Sequence, residues 1–295
     1  MRLKTIGILS PGDMGHSVGQ VLGSRGLRVI ACLRGRSERT RLLANGAHIT
    51  DVSTYQRLVT EADIILSILV PARAKQVAQV VARAIAETKA ELFYADCNAI
   101  APTTAREIRD VITVAGGRFI DASIIGPPPR NECVTRFYAS GPDAEFLAEL
   151  NEFGLNITVL GEQIGQASAI KMCYAALTKG VTALGTELLT AAEILGVSEP
   201  LKQEFQLSQP ALYGYLERQL PRMPMKSLRW IGEMREIAKT FQRAGLTPKI
   251  FAGAGDVYRF VSETELAERK PEDLDPIPDL HQILPVLADR LSELR

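Results

Sequence analysis

An apolar strand that runs into a glycine-bearing turn at residues 10–15 constrains this chain more than any other feature. Ile6, Ile8 and Leu9 form the strand. Ser10, Pro11, Gly12, Asp13, Met14 and Gly15 follow, and Val18, Val21 and Leu22 then fall on one side of a helix. A buried strand that delivers the chain to a helix start points the first free amides outward, and the helix dipole favours an anion there. Gly12 lets a ligand approach the backbone, and Gly15 lets the helix pack closely on the strand. The pattern is Ser10-x-Gly12-x-x-Gly15, so serine stands where the dinucleotide fingerprint has its first glycine. A second apolar strand, 28–33, arrives where a βαβ unit requires it. The expected ligand of this turn is a pyrophosphate, and the alternative is an ordinary glycine turn before a surface helix.

Alternation continues. Strands are expected at 5–9, 28–33, 63–69, 92–96, 118–121, 135–139 and 157–160, with helices at 13–25, 37–45, 72–87 and 102–115 between the earlier ones. This order predicts a parallel sheet covered by helices on both faces. The stretch Ile64 to Val70 is apolar nearly throughout, as a strand buried on both faces requires. From Gln166 to Gly196 a long helical pattern rich in Ala, Leu and Thr begins, followed by helices at 199–219, 226–245, 247–262 and 279–294. Pro271, Pro276 and Pro278 mark a loop. The expectation is an α/β Rossmann-type doubly wound sheet over 1–162, followed by an all-α domain over 163–295. A helix as long as 166–196 is easier to bury if a second copy covers it, so a homodimer is expected.

Open sheets bind ligands at the carboxyl ends of their strands, so those ends carry the candidate site. The second strand runs out into Arg34, Gly35, Arg36 and Ser37, and its first carboxylate is Glu38. Two guanidinium forks and a hydroxyl without an acid suit the 2′-phosphate of NADP rather than the ribose of NAD. The alternative is a solvated basic turn. Val70 and Pro71 end the third long strand and are expected on the nicotinamide side. Asn98, after Asp96, offers a donor and an acceptor to ribose or substrate, whereas Asp96 is expected to cap a turn. Ser123 and Gly126 stand before three prolines (127–129). That segment is either a substrate contact or a rigid connector, since proline supplies no amide donor.

The expected proton carrier is Lys171. Ser168, Lys171, Tyr174 and Thr178 share one helix face by their spacing, and that face begins where two domains meet, a usual place for clefts. A lysine can take an alcohol proton as hydride leaves, provided burial and a nearby cation lower its pKa. The alternative is a lysine snorkelling from a packed helix, and Lys179 lies nearly on the same face. Arg218, Arg222, Lys226 and Arg229 are either an anion contact or a solvated basic face.

Composition sets the outer limits. The 34 basic and 34 acidic residues cancel, so no nucleic-acid or membrane partner is expected. Cys32, Cys97, Cys133 and Cys173 are scattered without metal-ligand spacing, and only three histidines occur. Mostly buried, reduced thiols, no metal site and a cytoplasmic location are the expectations.

The turn at Gly12-Asp13-Met14-Gly15, the segment Ala62 to Pro71, the element Asp96 to Pro102 and the run from Gly161 through Gly165 to Lys171 together resemble the β-hydroxyacid dehydrogenase superfamily. Its members include 3-hydroxyisobutyrate and 6-phosphogluconate dehydrogenases. The closest likeness is to its poorly characterised oxidoreductases with a distinct helical C-terminal domain. The resemblance implies Lys171 as general acid/base and a dimer built through the helical domain. Departures are Ala175 where the family has Asn, Ile125-Gly126-Pro127 where it has Ser-Gly-Gly, and Glu233 where relatives carry Lys-Asp. Tyr174 stands in for the missing Asn, and Ser123, Gly126, Tyr174 and Glu233 are the expected substrate contacts. The resulting expectation is an NADP-dependent enzyme for a small, anionic hydroxy acid or its carbonyl counterpart. The alternatives are an imine reductase-like enzyme and a non-catalytic NADP-binding protein.

Overall fold

The computed structural model describes residues 3–129, 135–269 and 277–293. Cys133, Pro271 and Pro276 lie outside them. The chain packs as two units, 1–172 and 173–295.

The first unit follows the alternation of its sequence. Its elements are β1 (Thr5–Leu9), α1 (Asp13–Ser24), β2 (Arg28–Ala31), α2 (Glu38–Gly46), β3 (Thr50–Asp51), α3 (Tyr55–Glu61), β4 (Ile64–Ser67), α4 (Pro71–Thr88), β5 (Phe93–Asp96), α5 (Pro102–Val114), β6 (Arg118–Ile125), β7 (Arg136–Ser140), α6 (Ala144–Ala148) and β8 (Ile157–Gly161). The eight strands form one sheet in the order β3-β2-β1-β4-β5-β6-β7-β8. Successive residues of one strand feed opposite cores: Ile64 and Leu66 pack with Ile6, Ile8 and Val18, whereas Ile65 packs with Leu9, Val81 and Ile108. That is the period of two of a strand read on a sheet covered on both faces. The covering helices present apolar stripes at helical spacing, such as Ala74, Val77, Ala78, Val81 and Ile85 on α4. Proline opens both α4 and α5, where a missing amide costs nothing.

Two features differ from the sequence expectation. The sheet is not wholly parallel, because β7 runs antiparallel to β6. Too few residues separate Ile125 from Arg136 for the crossover a parallel pair needs. Strand β3 and helices α3 and α6 are short elements without a strong apolar period. Cys173 is exposed, while Cys32 and Cys97 are buried.

The second unit is helical. Helix α7 (Gln166–Ile194) begins in the first unit and continues into the second, followed by α8 (Ser198–Ser208), α9 (Pro210–Gln219), α10 (Pro224–Arg243), α11 (Lys249–Ser262) and α12 (Leu280–Glu293). The expected single helix at 199–219 is broken at Gln209, which leaves the helical region at φ −138° and ψ 47°. Pro210 causes this, since proline disfavours helical backbone in the residue before it. Leu189, Tyr213, Leu216, Leu220, Leu280 and Leu284 form part of the unit's core. Among the described residues, no helix is long and apolar enough to cross a membrane.

Candidate active site

The turn after β1 has the geometry of an anion cradle. Ser10 adopts a left-handed conformation at φ 59°, and the Gly12 amide donates to its carbonyl at 2.7 Å. Glycine is favoured at position 10 of the fingerprint for that backbone angle, which serine here adopts at a cost. A methyl at Gly15 would stand 3.0 Å from the Ser10 carbonyl oxygen and 3.3 Å from Ile8, so only glycine lets α1 start this close to the strand. Gly12 is different. A Cβ there would meet nothing nearer than the Ser10 oxygen at 4.0 Å, so the space in front of it is open. No side chain caps α1. The Asp13 carboxylate pairs with Arg39 at 2.6 Å. An uncapped helix start facing open space fits a pyrophosphate.

Beyond β2 the rim is basic. Arg34 is exposed, and the Arg36 side chain reaches toward Tyr55, with a long 3.4 Å contact from Nη2 to the phenol oxygen. The Arg36 Nε is buried without a hydrogen-bond partner among the described residues. Ser37 is the N-cap of α2, accepting from the Thr40 amide at 3.3 Å. Its oxygen thus caps the start of α2, and its O–H is a donor separate from that bond.

At the ends of β4 and β5, Val70 is exposed and Pro71 is buried as the first residue of α4. Asn98 needs a correction. It is 2% exposed, its amide nitrogen donates to Ser67 Oγ at 3.0 Å and Asp96 Oδ1 at 2.8 Å, and its oxygen accepts from the Leu69 amide at 2.5 Å. Both donors are spent inside the protein. Asn98 is therefore a brace between two strand ends rather than a free donor for a ribose. Asp96 also accepts from the Asn98 amide at 3.0 Å, making the turn cap expected of it.

The start of α7 is tied to β6 by one carboxylate. Asp121 is fully buried, and its Oδ2 accepts from Ser140 Oγ at 2.9 Å, the Gly165 amide at 2.8 Å and the Ser168 amide at 3.1 Å. Its Oδ1 accepts from Ser168 Oγ at 2.5 Å, and Ser140 Oγ in turn accepts from the Ala167 amide at 3.0 Å. These bonds satisfy amides that a helix start leaves without intrahelical partners. Burial pushes the Asp121 pKa up, and the hydroxyl and amide of Ser168, then Ser140 and Gly165, oppose the shift. One turn further along α7, the half-buried Lys171 ammonium donates to the Ile124 carbonyl at 2.7 Å.

The register locates that ammonium. Leu9, Ser67, Asp96 and Asp121 lie in one row across β1, β4, β5 and β6. Ile124 stands three residues past that row, roughly 10 Å at strand rise, beyond the carboxyl edge that carries the cradle. Ser123 is fully enclosed, and its hydroxyl has no partner among the described residues, so the expected substrate contact has no accessible atom. Gly126 is exposed at φ 122°, and the Pro127 carbonyl is held by Thr135 Oγ1 at 2.5 Å.

In the second unit, Tyr174 is 46% exposed. Glu233 is 5% exposed and bonded within the unit: Lys179 approaches one oxygen at 2.8 Å and Arg229 the other at 3.4 Å. This corrects its expected role as a free substrate ligand. Lys179, expected as a rival to Lys171, is spent in that pair.

Comparison with known proteins decides the kinship. Residues 5–158 match the NAD-binding domain of 6-phosphogluconate dehydrogenase. The chain belongs to that family. It is accordingly an NAD(P)-dependent oxidoreductase. Residues 192–261 match a domain of unknown function, DUF1932. An uncharacterized 28.5 kDa protein of Methanothermus fervidus is 30% identical over 66% of this chain and 74% of its own length. The solved structure of MTH1747, a conserved protein of unknown function described as similar to 3-hydroxyacid dehydrogenases, is 30% identical. It aligns at a TM-score of 0.65 over 87% of this chain and 97% of its own. The 3-hydroxyisobutyrate dehydrogenase of Mycobacterium tuberculosis, 17% identical, shares the fold at a TM-score of 0.64 over the whole of both chains.

Sequence reasoning passed over the role of Asp121 and Ser140. The signal available was a carboxylate between Ile120 and Ala122 in a strand buried from Phe119 to Ile125, since a charge so placed must be paired or hydrogen-bonded.

Proposed function

We propose that this member of the 6-phosphogluconate dehydrogenase NAD-binding family is an NADP-dependent enzyme that interconverts a small hydroxy acid and its carbonyl counterpart, with Lys171 carrying the proton. The observation that bears the most weight is the Lys171 ammonium, held on the Ile124 carbonyl beyond the same sheet edge as the Gly12 cradle. In this reading the first amides of α1 and the open face of Gly12 hold the pyrophosphate. Arg34 and Arg36 take the 2′-phosphate, and the lack of an acid from Leu33 to Ser37 supports that choice. Ser10, Pro11, Asp13, Met14 and Gly15 shape the cradle, and Val70 and Pro71 border the nicotinamide.

The bound nicotinamide supplies the hydride acceptor or donor. As the neutral amine, Lys171 accepts the substrate's hydroxyl proton while the C–H bond breaks; in the reverse direction its ammonium returns a proton to the carbonyl oxygen. The Ile124 carbonyl takes one of three N–H groups and aims the others. Asp121 and Ser140 fix the turn of α7 from which Lys171 extends. The Gly126 backbone contacts the substrate. A homodimer accompanies this reading: Leu177, Leu184 and Ile250 are between 61% and 68% exposed along α7 and α11, a contiguous apolar face.

The test is NADPH consumption with a panel of hydroxy acids and carbonyls, with cyclic imines as a separate arm. Lys171→Met should lower turnover by about 10²- to 10⁴-fold while leaving NADPH affinity unchanged. Equal turnover in Lys171→Met would remove the lysine from the mechanism. Turnover of imines alone would favour the imine reductase-like alternative.

A further inference from the structure

A cluster of cations in the second unit has no part in the mechanism above. Arg222, Lys226, Arg229 and Glu233 are spaced by four, three and four, so they line one face of α10 and the turn leading into it. From α7, Lys179 reaches the same face and meets Glu233 at 2.8 Å. It is 9% exposed, and its ammonium stands 5.2 Å from the Trp230 ring. Trp230 is in turn wedged edge-on against the buried Tyr258, whose hydroxyl donates to the Lys179 carbonyl at 2.6 Å. The face is thus built on a rigid wall.

Its charges do not balance. Among the described residues, Glu233 is the carboxylate placed against these cations, and it already serves Lys179 and Arg229. Arg222 is turned to a backbone oxygen, that of Arg218, at 2.9 Å. Lys226 is half-buried in the first turn of α10, a turn without an acidic residue or a side-chain cap, where the helix dipole disfavours a cation. Burial pushes the Lys226 pKa down, and the neighbours that act with it are all cations: Arg229, Arg222 and Lys179. Gathering and partly burying like charge costs the fold stability unless an anion offsets it.

We infer that Lys226, Arg222 and Arg229, set against the Lys179–Glu233 pair and Trp230, bind a doubly charged oxyanion group, a phosphate or a dicarboxylate. Two negative charges match the excess of cations better than one. Arginine forks grip the oxygens in pairs, and the lysine adds a point charge. That this group belongs to the substrate rests on the proposed function; that it binds does not.

Calorimetry separates the two. Inorganic phosphate and malonate are titrated into the full chain against acetate at matched ionic strength, with NADPH binding measured on every variant as a control of the first unit. The dianions should bind at least about tenfold more tightly than acetate, and Lys226→Met and Arg229→Met should each weaken them about tenfold with NADPH affinity unchanged. Glu233→Gln should tighten the dianions by removing the competing carboxylate. No measurable dianion binding, acetate binding as tightly, or affinity unaltered in both methionine variants would overturn the inference. Dianion binding without turnover on any hydroxy acid would instead overturn the proposed reaction and leave the site standing.

Discussion

Removing the Asp121 carboxylate should cost the fold far more than neutralising it. Four donors converge on that buried group: two hydroxyls, of Ser140 and Ser168, and two backbone amides, of Gly165 and Ser168. In Asp121→Ala the hydroxyls can turn to other acceptors, but the two amides start a helix and have no carbonyl to bond. Each buried, unsatisfied amide costs about 1–3 kcal/mol. Relief of the carboxylate's own desolvation offsets part of this, leaving an expected loss of about 2–4 kcal/mol. In Asp121→Asn the remaining oxygen keeps the three bonds of Oδ2, and the new amide group can donate to Ser168 Oγ. Only the bond at Ser168 Oγ is exchanged for a less favourable one, about 1 kcal/mol. Urea denaturation followed by far-ultraviolet circular dichroism measures both. The sign with pH is also fixed. Because the folded pKa is raised, the folded state holds its proton at a higher pH than the unfolded aspartate, so ionisation costs stability. The wild type's advantage over Asp121→Asn should therefore be largest below the unfolded value of about 3.9 and shrink as pH rises through the folded one. An alanine variant within about 1 kcal/mol of wild type would refute the role given to Asp121. So would an asparagine variant as damaged as alanine. An advantage that widens with pH would refute the balance of burial over donors.

Other outcomes follow from the same structure. Arg36→Ala should shift cofactor preference from NADPH toward NADH in the ratio of Michaelis constants, and an unchanged ratio would remove Arg36 from 2′-phosphate binding. Ser10→Gly relieves a left-handed serine, worth about 1–2 kcal/mol, against the extra unfolded-state freedom of glycine, about 0.5–1 kcal/mol. A net gain of up to about 1 kcal/mol in denaturant unfolding is expected, with NADPH affinity retained. Leu184→Glu should convert a dimer to monomer in light scattering, and a wild type that is monomeric at every concentration would refute the dimer.

What could be read along the chain and what could not divide on physical grounds. Strands β1, β4 and β5 and helices α1, α4 and α5 carry their own periods, so a local pattern suffices to place them. The reversal at β7 depends on the length of a connection rather than on any residue type, and the break at Gln209 depends on one proline. Site residues divide in the same way. Gly12 and Gly15 do their work through the backbone, which a short motif specifies. Asn98 and Glu233 have side chains suited to a ligand, but suitability says nothing of whether the bonds are already spent. Asn98 spends its donors on Ser67 and Asp96, and Glu233 its charge on Lys179. Those partners are as close as two residues for Asn98 and as far as fifty-four for Glu233, so sequence distance does not sort them. Burial is the better guide. A charge inside an apolar strand must have a partner, so Asp121 between Ile120 and Ala122 announces a bond whose other end, forty-seven residues on at Ser168, only the fold reveals. Lys226 is the converse case: among the described residues the charges set against it are the cations Arg229, Arg222 and Lys179, and the anion inferred there would offset them.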